Sequence, residues 1–311
     1  MDKDTIKRLI IEYQQFVANI TLIEREIHLS HQLNYVFVGL RRAGKSYLMY
    51  QQIQSLLNDG HQPEEILYFN FEDDRLVNLT VEDLDLIKVS YEELYPHKPI
   101  FFLDEIQIVE HWEKFARRLA DQQYRVYITG SNAKMLSAEI ATTLGGRYIV
   151  QNVYPFSFSE FLKASKIEIG PTWYYKNRTE IVRTFSDYFS YGGLPELMLI
   201  ETIEKRQWLS NLFNKIFFGD LITRYSIRND LAMKVLIRKL AESVKQPSSF
   251  NRLTNIVSTT GAKVSTDTII DYLNFLQATW LFFSLENYAS KLVEKISNRK
   301  YYFIDNGLLN L

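Results

Sequence analysis

Apolar residues near the start recur at helical spacing, as Ile6, Leu9, Ile10, Tyr13, Phe16 and Val17, which predicts an amphipathic helix. From residue 35 the pattern changes. Tyr35-Val36-Phe37-Val38 is an unbroken apolar, β-favouring run, expected of a strand buried on both faces. Comparable runs at 66–71, 100–104, 124–129 and 148–153 predict five strands in all. The segments between them are mostly helical. Leu48, Met49, Ile53, Leu56 and Leu57 form one such stripe, stopped by Asn58-Asp59-Gly60. Trp112, Phe115, Ala116 and Leu119 form another, at i, i+3, i+4 and i+7, and are expected in the core. Strands alternating with helices predict an α/β fold with a doubly wound parallel sheet over 31–153, preceded by a helical segment at 1–30.

The rest of the chain reads differently. Ser157-Phe158-Ser159-Glu160 is S-x-x-E before an apolar pattern, a capping box in which Ser157 and Glu160 satisfy each other's backbone N–H groups. It opens a helical segment over 154–230, expected to act as a lid. From 231 to 311 the pattern is three helices and two short strands. The first helix carries Leu236, Ile237, Leu240 and Val244; the second runs through Leu253, Ile256 and Val257. The third is capped by Ser265 and carries Ile269, Ile270, Leu273 and Leu276, and strands follow at 281–285 and 300–304. This order predicts a winged-helix module, whose third helix enters a DNA major groove in proteins that use it so. Here the solvent face of that helix holds Thr266, Asp267, Asp271 and Asn274 rather than Lys or Arg, which argues against ordinary docking on phosphates. Lys291, Lys295, Arg299 and Lys300 in the wing are the better candidates for DNA, and an intramolecular or protein contact is the other reading.

Composition changes little in this picture. With 46% hydrophobic and 23% charged residues over 311 positions, the chain is a globular protein long enough for two domains. The absence of cysteine excludes a disulfide framework or thiolate metal site, and His28 and His31 have no evident third ligand. No apolar run approaches the roughly 18 residues of a membrane span, and the charged start Met1-Asp2-Lys3-Asp4 is unlike a signal peptide. The expected location is cytoplasmic. Net charge is −1, but residues 231–311 hold 10 Lys/Arg against 6 Asp/Glu, which permits a nucleic-acid contact there without requiring one.

The stretch with most chemistry follows the first strand: Gly39-Leu40-Arg41-Arg42-Ala43-Gly44-Lys45-Ser46, or G-x-x-x-x-G-K-S, and then the helix. Strand, glycine loop and helix in that order make a phosphate-binding loop. The glycines let the backbone curl so that successive N–H groups point inward, at a helix N-terminus that favours anions. The loop from Gly39 through Ser46, with Tyr47 beside it, is expected to hold the phosphates of ATP. Lys45 reaches the β- and γ-phosphates and the Ser46 hydroxyl ligates Mg2+. The third strand ends in Asp104-Glu105, placing two carboxylates at the carboxyl edge of a parallel sheet, where such folds bind ligands. Asp104 is expected to hold the magnesium, and Glu105 to take a proton from the attacking water. After the fourth strand come Ser131 and Asn132, which lie beside the γ-phosphate if that strand sits between the first and third. A helix N-cap is the plainer role for either.

These features together resemble the prokaryotic predicted ATPases of the AAA+ superfamily. The likeness rests on the phosphate loop, Phe102-Leu103-Asp104-Glu105-Ile106-Gln107, Thr129-Gly130-Ser131-Asn132 and Leu144-Gly145-Gly146-Arg147. It continues through Tyr154-Pro155-Phe156-Ser157-Phe158-Ser159-Glu160-Phe161, Gly192-Gly193-Leu194-Pro195-Glu196 and Tyr301-Tyr302-Phe303-Ile304-Asp305-Asn306-Gly307-Leu308, in the family's order. The resemblance implies an AAA+ type P-loop NTPase core followed by the lid and winged-helix module. It further implies that Asn132, or Ser131 beside it, is a sensor positioning the lytic water. Arg147 becomes an arginine finger, acting on a neighbouring subunit in a homo-oligomer or within its own chain, and Pro195 packs near the adenine. Leu40 replaces the family's usual proline. Family members usually continue for roughly a hundred residues, an ordinary domain's length, into a nuclease-like segment that is not in this sequence.

Two readings share the site: an ATPase whose hydrolysis moves the lid and winged helix, and a slow-turnover nucleotide switch that changes protein or DNA partners. Glu105 favours the first and Gly193-Leu194-Pro195 the second. A small-molecule P-loop kinase is disfavoured by Asp104-Glu105, because a kinase needs an acceptor pocket in place of a water-activating base.

Overall fold

The computed structural model describes residues 2–76, 79–130, 142–167, 170–172, 175, 177–291, 295 and 298–311. The chain divides into two compact units, Met1–Tyr154 and Pro155–Leu311.

The first unit is built on five parallel strands: β1 (Asn34–Val38), β2 (Ile66–Asn70), β3 (Ile100–Asp104), β4 (Val126–Gly130) and β5 (Tyr148–Asn152). Their order across the sheet is β2-β3-β4-β1-β5. β3 and β4 are buried at every position, and β1 and β2 at four of five, as their unbroken apolar runs require. A row of rings crosses the middle three strands. Phe102 stacks on Tyr127 at 4.6 Å and Tyr127 on Tyr35 at 5.9 Å, each pair directly opposite in register. Such pairs add about 0.5–1.5 kcal/mol each beyond burial and here favour one register over slipped alternatives.

Helices of this unit include α1 (Lys3–Asn19), α2 (Lys45–Asn58), α3 (Val81–Leu94) and α4 (Trp112–Asp121). Ile6, Leu9, Ile10 and Val17 of α1 are buried against α2, α3 and the edge strand β2, so the first helix builds onto the α/β unit. Polar contacts fasten it there: Tyr13 OH donates to Asp73 at 2.6 Å, and the Gln14 amide to the Ile66 carbonyl at 2.8 Å. Phe16 departs from the expected stripe. It is half-exposed and meets the Tyr50 ring edge-on. The predicted stripe of α4, Trp112, Phe115, Ala116 and Leu119, is buried throughout.

The second unit begins with α5 (Phe158–Ala164), opened by the capping box expected from the sequence. Glu160 N donates to Ser157 Oγ at 3.1 Å, and Ser157 N to Glu160 Oε2 at 2.9 Å. Then come α6 (Arg178–Tyr191) and α7 (Thr202–Lys215), which runs on into a π-helical stretch, Ile216–Thr223. The last part is α8 (Asp230–Glu242), β6 (Ser248–Ser249), α9 (Phe250–Thr259), α10 (Thr266–Ala278), β7 (Phe282–Leu285), β8 (Asn298–Phe303) and α11 (Asn306–Leu309). The three helices and two strands lie where the apolar pattern puts them, except that α8 ends at Glu242 and leaves Val244 in the turn after it. The third strand, β6, pairs antiparallel with β8 through only two residues, too short for any periodicity to reveal.

One buried carboxylate joins two distant motifs of this unit. Asp305 accepts from Gly193 N through Oδ2 and from Gly307 N through Oδ1, both at 2.8 Å, and is 4% exposed. Burial pushes its carboxyl up to about 6, against those two backbone hydrogen bonds. Between the ordinary carboxylate range and pH 6 the folded form therefore holds a proton that the unfolded chain has lost. Stability from this group falls as pH rises through that window, by about 1.4 kcal/mol per pH unit. Asp305→Asn keeps one acceptor and cannot ionise. Its stability deficit relative to the wild type, measured by urea unfolding, is expected to be about 2 kcal/mol larger at pH 4.5 than at pH 7.

Candidate nucleotide site

The carboxyl ends of β3, β4 and β1 lie side by side, and the connections leaving β1 and β4 run to opposite sides of the sheet, to β2 and β5. Open α/β sheets bind ligands at such an edge. Directly after β1, Gly39 passes so close to the Val153 carbonyl that an added Cβ would come within 2.1 Å of its oxygen. Three residues on, Arg42 (φ 63°) and then Gly44 (φ 94°) turn left-handed, which curls the segment into a nest of amides. Gly44 is the N-cap of α2 and carries no side chain to close the helix end, so the first turn presents its N–H groups to whatever the loop encloses. Leu40 and Ala43 are buried beneath the loop, so leucine in place of proline leaves the curl intact.

Lys45 is 5% exposed and folds over the loop, donating from Nζ to the Leu40 and Gly39 carbonyls at 3.1 and 3.3 Å. Burial pulls its ammonium down from the ordinary lysine value, while Glu105 and Asp104 oppose that shift. Both carboxylates are thus close enough to act on the loop's cation. Ser46 Oγ donates to Asp104 Oδ1 at 3.1 Å, which brings together the two residues expected to hold magnesium. Asp104 is 2% exposed, and burial raises its carboxyl above the usual range against hydrogen bonds from Thr129, Tyr68 and Ser46. Glu105 takes a left-handed conformation (φ 56°, ψ 37°) that a non-glycine residue adopts at a cost of about 1–3 kcal/mol, a strain typical of functional sites. Its carboxylate accepts from the Gln107 amide.

Tyr47 is half-exposed on the first turn of α2, against the Tyr50 ring. β4 does lie between β1 and β3, the condition for a polar residue after it to border the phosphates. Ser131 and Asn132 themselves lie outside the described residues. Arg147 precedes β5, whose Tyr148 pairs with Asn34 at the beginning of β1, and its guanidinium is bound to Asp121. It therefore sits at the amino edge of the sheet, one strand length from the loop. At about 3.3 Å per residue that is roughly 17 Å. Pro195 begins a 3-10 turn (Pro195–Leu199) in the second unit, with Leu194 before it fully buried.

Four residues of the site, Arg25, Gln51, Tyr68 and Thr129, have a role that the sequence does not assign them. Arg25 is buried in the segment between α1 and β1. Its guanidinium donates to the Ala43 carbonyl at 3.0 Å and the Tyr154 carbonyl at 2.8 Å, clamping the phosphate loop from behind. Gln51 on α2 holds that residue's backbone from both sides, accepting from Arg25 N and donating to Arg25 O. Tyr68 and Thr129, inside the apolar runs of β2 and β4, turn their hydroxyls to Asp104, Tyr68 at 2.7 Å. Only a polar atom at the right register of a neighbouring strand reveals them.

Among the described residues no group of three or more His, Cys, Asp or Glu could hold a metal ion. His31 instead pairs with Asp59 at 3.1 Å. No helix of the described residues is long and apolar enough to cross a membrane.

A family model described as an AAA domain matches residues 31–162, and one described as a domain of unknown function matches 182–311. An uncharacterized protein of Methanocaldococcus jannaschii is 33% identical over 312 residues, 99% of this chain and 69% of that protein. An uncharacterized protein of Haemophilus influenzae is 32% identical over 300 residues, 92% of this chain and 72% of that protein. Among solved structures, a Walker-type ATPase of Pyrococcus abyssi aligns over 99% of this chain and 94% of its own, at 12% identity and a TM-score of 0.49. With a nucleotide-binding α/β unit of this kind, a match to the AAA domain, and about a third of its residues shared with relatives over 69–72% of their length, the chain belongs to the prokaryotic P-loop ATPases of the AAA+ superfamily.

Proposed function

We propose that the chain binds ATP with magnesium, hydrolyses it, and uses the cycle to move its lid (154–230) and winged-helix module (231–311). The observation that carries this reading is the meeting of Ser46 and Asp104 at 3.1 Å beside the amide nest, with Glu105 one residue further on. The donors there, a hydroxyl and a carboxylate, are the hard oxygens that magnesium prefers, and magnesium at such sites completes its shell with phosphate and water. When bound, the ion neutralises charge building on the transferred phosphoryl group. The chain's own groups do the rest. The amides of residues 44–46 and the Lys45 ammonium hold the β- and γ-phosphates in place. Glu105 accepts the proton of the water attacking the γ-phosphorus, as the bond from that phosphorus to the bridging oxygen breaks.

A nucleotide switch with rare turnover uses the same residues, and the Gln107 amide on the Glu105 carboxylate favours it. A carboxylate turned to a neighbouring amide is less available to an attacking water. The C-terminal module is proposed to meet a protein partner rather than DNA. Asp267 and Asp271 are exposed on α10, and the wing's Arg299 is engaged by Glu286 at 2.7 Å.

Arg147, at the amino edge of its own sheet, is proposed to reach the nucleotide of a second copy. Arg147→Ala and Glu105→Gln chains, each slow at hydrolysis, are expected to recover activity on mixing, because a mixed interface pairs an intact finger with an intact base. Steady-state phosphate release across mixing ratios checks this, and no recovery at any ratio contradicts it.

A further inference from the structure

We propose that Thr129 is a positioning residue that sets Asp104 and Glu105 as one unit, an inference that rests on the magnesium–ATP reading of the site. Thr129 stands at the fourth position of β4, fully buried, one step past the Leu103–Ile128 pair and thus level with Asp104 on β3. Its single hydroxyl does two things. It donates to Asp104 Oδ1 and accepts from the Glu105 backbone N–H at 2.9 Å.

A hydroxyl alone among small side chains offers a donor and an acceptor from one atom. Valine has the same shape and neither capacity. Without Thr129, Asp104 loses one of its two fixed outer partners, the other being Tyr68 at 2.7 Å, which is itself backed by Tyr50 at 3.0 Å. Glu105 N would at the same time lose its acceptor, in a residue already held in a left-handed conformation. The aim of the metal-holding carboxylate and the turn that presents the base would loosen together. Outer partners of metal-holding groups typically matter about 10–100-fold in metal affinity or activity.

The test compares full-length wild type with Thr129→Val and Thr129→Ser. Binding of ATPγS is titrated against Mg2+ and repeated in EDTA, kcat for ATP is measured, and thermal unfolding checks the fold. Thr129→Val is expected to need about ten-fold more Mg2+ for half-maximal binding and to lose 10–100-fold in kcat, with binding in EDTA unchanged. Thr129→Ser, which keeps the hydroxyl, is expected to return both to within about three-fold of wild type. Should the valine chain not fold, Thr129→Ala, which also lacks the hydroxyl, takes its place against the serine variant. A wild-type Mg2+ requirement and kcat in a variant without the hydroxyl overturns the assignment, as does a serine variant as impaired as the valine one. If wild type itself shows no Mg2+-dependent binding, the nucleotide reading fails, and the role of Thr129 with it.

Discussion

Lys45→Ala is expected to weaken binding of magnesium–ATP by at least about 100-fold while leaving the fold intact. The lysine is the cation of the loop, held over it by two backbone carbonyls, with its charged form favoured by Glu105 and Asp104. Hydrogen bonds from a charged donor contribute about 1.5–3 kcal/mol each, and an ammonium placed between two phosphates makes at least two. Losing both costs about 3–6 kcal/mol, where 1.4 kcal/mol is a factor of ten. The fold does not depend on the charge in the same way. A buried ammonium is costly to desolvate, so its removal is expected to leave the melting temperature within a few degrees of wild type. Calorimetric titration with ATP and Mg2+ gives the affinity, and unchanged affinity would falsify the assignment of the loop.

Glu105→Gln is expected to separate binding from turnover. Glutamine has the volume of glutamate and leaves the backbone turn and its bond to Thr129 untouched. It cannot accept the proton of the attacking water. Loss of a general base costs 10²–10⁴-fold, so the phosphate-release rate is expected to fall by about that factor with ATP affinity unchanged. A rate equal to wild type would place the base elsewhere.

The residues that could be read in the sequence are those whose signal is local. The nest is a fixed spacing of glycines with a lysine and serine, and the carboxylates fall at the end of an apolar run. Burial of Trp112, Phe115, Ala116 and Leu119 follows from helical spacing alone. What escaped the reading depends on strand order. Thr129 and Tyr68 matter because β4 and β2 both flank β3, and nothing in an apolar run states its neighbours. Arg147 needed the register of β5 on β1 before its distance from the loop could be stated. Arg25 has no periodic company at all; its place comes from two carbonyls, 18 and 129 residues away along the chain. The link from Asp305 to Gly193 spans 112 residues and joins two motifs that, in the sequence, only share a family likeness.

Hydrogen–deuterium exchange of the full chain, with and without ATP and Mg2+, tests the central claim most directly. Peptides covering residues 39–46 and 100–105 are expected to become strongly protected in the wild type and to show no change in Lys45→Ala. Nucleotide binding that leaves both segments exchanging at their original rates would contradict it.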